Sequence, residues 1–324
     1  MNLTTWSLLC VVTTACSSSR DPGDGPDDSS PIGRYQIVTT VAMEATKSPG
    51  FAVRGQFFDL LIDTKKRAEL LCTETAAAIA DAELRATIAA ACTGTLVQRL
   101  DDKVFQLMPL LTTDLATISK AVFEEPSQAY HAFAFDSQLD IAAAGGGFVA
   151  EHRAPEFTIV VGGTPHTFAV TDLGSAVNIT TDIGVTVRGA TFELAEHDVY
   201  VPFGALLRAV IDRVAVPTVD ATAHDLHELF AHRIDCDLVA DIIVTDTKAG
   251  TLAELATACR TGAPKIPDTV YEPLDTLEAA VTDLRIHATL SIADEVSGAW
   301  TGELIDHATL RVPLTTATFA GTRE

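Results

Sequence analysis

Positive charge is scarce along this chain. Its 22 Lys and Arg stand against 44 Asp and Glu, for a formal net charge of -22 at pH 7. Nucleic-acid binders displace counterions with clustered Lys and Arg, so this balance argues against nucleic acid as a partner. It argues equally against adsorption on anionic lipid surfaces. The acidic residues are spread along the chain without a long block, which suits a body that stays soluble and unaggregated. Aromatic residues are also few, at 6%, while hydrophobic residues reach 47%. The expected core is therefore built from Ala, Val, Leu and Ile. Long apolar runs are missing too. The stretch at residues 6–12 falls well short of the about 20 apolar residues that cross a bilayer.

The familiar catalytic motifs are absent as well. There is no Gly-x-Ser-x-Gly elbow; Leu173-Gly174-Ser175-Ala176 comes nearest and fails. There is no phosphate loop, and Gly145-Gly146-Gly147 lacks the spacing of a dinucleotide fingerprint. No Cys-x-x-Cys pair suggests a metal knuckle. A glycosidase needs a carboxylate pair, and sequence alone does not select two among 44. No residue is assigned a catalytic role, and no cofactor is expected.

What is present begins at the N-terminus. Residues 8–16 read Leu-Leu-Cys-Val-Val-Thr-Thr-Ala-Cys. The apolar stretch has the size of an export-signal core, and Ala15 is small, as a signal peptidase requires before its cut. Ser17, Ser18 and Ser19 follow, then Asp, Pro and Gly up to Pro31. These residues resemble the bacterial lipoprotein signal, although Met1–Thr5 carries no Lys or Arg and Thr13 stands where an apolar residue is usual. The resemblance implies cleavage after residue 15 and acylation of Cys16. Two or more acyl chains would give durable membrane attachment. Cys10 is the poorer acceptor because Leu9 before it is bulky. The alternative is an ordinary cleaved secretory signal in which Cys16 is incidental. Residues 17–33, with Asp21, Asp24, Asp27 and Asp28 among Pro and Gly, read as a flexible acidic tether.

With Cys10 removed and Cys16 acylated, Cys72, Cys92, Cys236 and Cys259 remain. An even number in an exported chain reads as disulfides, with three possible connectivities. The local pairs Cys72–Cys92 and Cys236–Cys259 are the expected ones. Residues 72–92 look helical throughout. One straight helix would hold these cysteines about 30 Å apart, whereas a disulfide needs Cα atoms within about 7 Å. The helix must therefore reverse, and Asp81 is the candidate cap of its second arm. In the other pair, residues 245–250 break the helical pattern, and Thr251 with Glu254 makes a capping box.

The remaining pattern alternates between strand and helix periods. Residues 34–46 read as a strand, and the helical period begins near Val53. Gly94 ends the first hairpin, and residues 96–120 are helical. Residues 130–141 are a strand, followed by a glycine turn. Short strands then cover residues 157–161, 167–171, 177–181 and 185–194, with Gly162-Gly163 as a hairpin turn. Helix returns at Phe203 and stops at Pro217. Residues 224–232 and 268–282 are helical. Residues 284–293 and 299–319 are strands, with Ser297-Gly298 as a turn. Ala91-Cys92-Thr93-Gly94 echoes Ala258-Cys259-Arg260-Thr261-Gly262, which suggests two related halves, 34–155 and 156–324.

The best metal candidates are His224, His227, Glu228 and His232, with 224, 228 and 232 on one side of a helix. Imidazole and carboxylate suit zinc, but the order differs from the His-Glu-x-x-His of zinc peptidases, and the wet face of an amphipathic helix explains it more simply. The expectation is an α+β protein: an antiparallel β-sheet packed against helices that include two disulfide-stapled hairpins. It would sit in the cell envelope, lipid-anchored on the periplasmic face or at the surface, and bind an apolar ligand or an envelope protein. A surface-display lipoprotein without a ligand and a metal-dependent hydrolase are the alternatives.

Overall fold

The computed structural model describes residues 30–43, 63–105, 133–161, 164–174, 178–306 and 311–324. Cys16, most of the tether and the 162–163 turn lie outside them, as do the parts of the expected helices at 53–62 and 106–120.

The fold is α+β, and its sheet closes on itself. The strands are β1 (Gly33–Met43), β2 (Phe133–Ala144), β3 (Gly147–Val161), β4 (Thr164–Ala169), β5 (Ile179–Arg188), β6 (Thr191–Tyr200), β7 (Val281–Ser291), β8 (Glu295–Ala299), β9 (Thr301–Asp306) and β10 (Arg311–Arg323). Antiparallel pairing runs β1-β2-β3-β5-β6-β7-β9-β10, and β10 pairs back onto β1, from Tyr35↔Arg323 to Met43↔Leu314. The result is an antiparallel barrel, with β4 alongside β3 and β8 alongside β10. Alternation explains the two faces of its wall. In β1, Tyr35, Ile37, Thr39 and Val41 are buried; in β2, Phe135, Ser137, Leu139 and Ile141. Outward positions carry Gln36, Gln138, Asp140, Glu193, Asp198 and Arg285, rather than the apolar band of a lipid-facing barrel. Among the described residues no helix is long and apolar enough to cross a membrane.

Two insertions supply the helices. The first, between β1 and β2, contains α1 (Thr64–Ala77), α2 (Ala82–Ala91) and α3 (Gly94–Leu100), which runs on as a π turn over Asp101–Phe105. The second, between β6 and β7, contains α4 (Phe203–Val210), a π turn over Ile211–Ala215, α5 (Val216–Val219), α6 (Leu226–Arg233), α7 (Cys236–Thr247), α8 (Leu252–Gly262) and α9 (Lys265–Ala280). Strands alternate in direction around an antiparallel ring, so β1 and β6 run the same way. Both insertions therefore leave the same rim of the barrel. Gly33, where the chain enters from the tether, lies at the opposite rim, near the β2–β3 and β5–β6 turns.

The two insertions form one helical crown. Helix α8 packs on α1, and α7 packs on α2 and α3. Gly262 makes the α8–α1 approach possible: a Cβ there would sit 2.5 Å from the Glu74 carbonyl oxygen. Each hairpin is stapled, Cys72 to Cys92 and Cys236 to Cys259, both with Cα atoms 5.5 Å apart. The reversals follow the expected caps. Asp81 accepts the Leu84 N–H at 2.7 Å, and Thr251 accepts the Glu254 N–H at 3.2 Å. The disulfides put the body in an oxidising, extracytoplasmic compartment. One continuous apolar core runs from the barrel interior into the crown.

Several local expectations are corrected. Gly94, at φ 57°, opens α3 rather than closing the hairpin. Residues 185–194 are two strands, because the chain turns at Gly189-Ala190. Pro217 does not stop the helix at once: the chain runs on from the π turn into α5, which ends two residues beyond it at Val219. Ser297 and Gly298 lie within β8, where the Phe319 ring covers Gly298 so closely that a Cβ would meet its Cζ at 2.7 Å.

Candidate functional site

The expected metal residues fall around α6, each with another partner. His224 precedes the helix, because Asp225 is the N-cap and accepts the Glu228 N–H at 2.8 Å. The Glu228 carboxylate accepts the His224 backbone N–H at 2.8 Å. His227 Nε2 meets Asp268 on α9 at 2.9 Å. His232 Nδ1 meets Asp220 at 3.2 Å. Asp220 is held low, at about 2, first by the Thr222 hydroxyl and amide and then by His232. Among the described residues no three His, Cys, Asp or Glu side chains are grouped to hold a metal ion.

Beside them lies a polar knot that the sequence did not reveal. The Tyr271 hydroxyl on α9 accepts the Leu226 N–H at 3.0 Å and donates to the Asp212 carboxylate in the π turn. The Arg208 guanidinium lies 4.0 Å above the Tyr271 ring. Burial raises the pKa of Asp212, and burial followed by the Asp212 hydrogen bond raises that of Tyr271. A phenol held protonated, with its proton committed to a carboxylate, is an anchor and not a base. It ties α4, α6 and α9 together.

Concave surfaces lie on the crown among the described residues, two of them beside the staples and the ion pairs. The larger, about 560 Å³, lies where the first insertion meets α7, and is lined by Thr87, Thr93, Thr95, Leu96, Arg99 and Asp246 among others. Arg99 forms an ion pair with Asp246 across it, joining the two insertions. Thr93 is the N-cap of α3 but makes no side-chain cap bond. The smaller, about 370 Å³, lies by the second staple and is lined by Phe230, Ile234, Asp237, Arg260 and Pro264 among others; Arg260 bonds Asp237 there at 2.7 Å. Both mix apolar side chains with ion-paired polar groups. That chemistry suits recognition of a polypeptide surface more than enclosure of a hydrocarbon chain.

The barrel interior is different in kind. Tyr35, Phe135, Phe157 and Phe192 fill it, each at most 1% exposed. It also holds a histidine pair, His152 and His197, packed against Trp300. Neither histidine was singled out from sequence. His152 alternates with the buried Ala150 and Ala154 and so reads as an ordinary inward position of β3.

Comparison with family models, with curated proteins and with solved structures finds no match to the chain.

Proposed function

We propose that the protein is an exported envelope lipoprotein, anchored through Cys16, that presents its stapled helical crown to a protein partner. The observation that carries this reading is polarity of layout: both helical insertions leave one rim of the barrel, and the tether joins the other. A chain held at Gly33 directs the crown away from its anchor. The barrel acts as a stand, because its interior is occupied by its own aromatic side chains. The crown is the preorganised part. Two disulfides and the Gly262 contact hold it before binding, which reduces the ordering cost of association.

The test uses the full-length acylated protein in intact envelopes. A photo-crosslinking side chain at Thr95, in the larger cleft, should give a discrete protein adduct, and one at Thr186 on the outer barrel wall should not. Adducts from Thr186 alone would overturn the reading. Organic extraction of the purified protein decides the other expectation: a stoichiometric co-purifying lipid would make the protein a lipid carrier. Cys16→Ala should release the protein from the membrane fraction, and retention would refute the anchor.

A further inference from the structure

The tautomers of the buried histidine pair follow from geometry. His197 Nδ1 lies 2.9 Å from the Ala195 carbonyl oxygen, which can only accept, so Nδ1 carries the proton. In the neutral ring Nε2 is then an acceptor. It lies 2.8 Å from His152 Nδ1, which must donate. His152 Nε2 is left with a bare lone pair, fully buried and without a hydrogen-bond partner. Trp300 stacks on the His152 ring at 5.7 Å and 15°, and its Nε1 donates to Thr39 at 3.0 Å.

The wall beside this pair is weakly laddered. Main-chain pairing of β5 with β6 runs from Arg188↔Thr191 to Val185↔Leu194. Above it β6 bulges between Leu194 and His197, and Asp182 of β5 takes φ 57°. From there upward, side chains stitch the seam. The Asn178 amide bonds both the N–H and the C=O of Tyr200, and the Thr180 hydroxyl donates to the Asp198 carbonyl.

We propose that the His152–His197 pair is a proton-operated latch on the β5–β6 seam: protonation of the pair parts the two rings and opens the barrel wall between these strands. The pair has no room for a charge. Trp300 packs on both rings, Leu139 on β2 and Thr180 on β5 pair with His152, and Ile286 on β7 pairs with His197, none of them ionic. Glu151 and Arg153 on β3, Asp182 on β5, Glu196 and Asp198 on β6, and Arg285 and His287 on β7 stand on the outer face or at its rim. Of these, Asp198 favours a charge on His197 and His287 opposes it, and burial outweighs both, so His197 is held down. Burial, then the neighbouring His197, pushes His152 down to about 3 from 6.5. The open form therefore binds more protons than the closed one below pH about 6.5. Closure is at full strength above that value and weakens as the pH falls towards that of His152.

Hydrogen exchange of the whole protein, corrected for intrinsic rates, tests the latch between pH 7 and pH 5. A single imidazole freed on opening raises the opening constant about 25-fold over that interval. Peptides covering 179–200 should lose protection by at least that factor while β1 and β2 hold. Unchanged protection of 179–200, or equal loss in every element, would overturn the latch. His152→Phe with His197→Phe keeps flat rings against Trp300 and should abolish the pH response. Should that variant fail to fold, wild-type Trp300 fluorescence serves: a titration with the same midpoint as the exchange supports the latch, and its absence refutes it.

Discussion

The barrel and the crown solve the same problem with different means. The barrel closes a ring of main-chain ladders around large rings: Tyr35 against Phe192 at 5.5 Å, Phe135 against Phe157 at 5.9 Å, and Trp300 against Phe319 at 5.1 Å. The crown is built largely from Ala, Val, Leu and Ile, with Ala68, Ala76, Ala240, Ala256 and Ala258 buried in its helices. Small side chains let helices approach closely but remove little apolar area from water. The staples occur in the part with the smaller side chains. A disulfide stabilises by restricting the unfolded chain, which adds to a crown whose packing is modest. Among the described residues the rings of Tyr35, Phe135, Phe157, Phe192, Trp300 and Phe319 are buried in the barrel, and those of Phe105, Phe203, Phe230 and Tyr271 in the crown.

This contrast is open to attack in order of expected effect. Phe192→Ala should cost about 3–5 kcal/mol, because a fully buried ring leaves a cavity in a wall that cannot collapse; urea unfolding measures it, and a cost below that of losing a staple would reverse the ranking. Replacing Cys236 and Cys259 with Ser should cost about 3 kcal/mol, and the same change at Cys72 and Cys92 a similar amount, since the sequence separations of 23 and 20 are close. Unequal losses would mean that strain or packing, not chain entropy, sets the worth of a staple. Gly262→Ala should cost about 1–3 kcal/mol through overpacking on the Glu74 backbone, seen as a lower thermal midpoint with the staples intact. Asp81→Ala removes the cap of α2 and should cost about 1 kcal/mol, with loss of helical signal confined to the first insertion.

Much of the α+β reading was legible because it rests on local patterns. The strand period at Tyr35, Ile37, Thr39 and Val41 and the reversal demanded by Cys72–Cys92 are both short-range signals, and both hold. Ring closure was not legible: it joins β1 to β10, the two ends of the body, and no turn chemistry announces a pairing between strands so far apart in sequence. The Ser297-Gly298 turn misled because Gly298 is small for the sake of Phe319, not for a backbone bend. The histidine pair was hidden by the β6 bulge. Along Leu194-Ala195-Glu196-His197 the period of two slips by one residue, so His197 reads as outward until the bulge turns it in. The grouping of Tyr271, Asp212 and Arg208 depends on the π turn, which shifts the register of α4 without a sequence mark.

The barrel is held by its own ladders and carries a crown held by its staples. Hydrogen exchange of the intact protein with and without reductant separates the two kinds of support. Reduction should strip protection from α1, α2, α7 and α8 while β1, β2, β6 and β7 keep theirs. Joint loss in strands and helices, or no loss in either, would contradict that division.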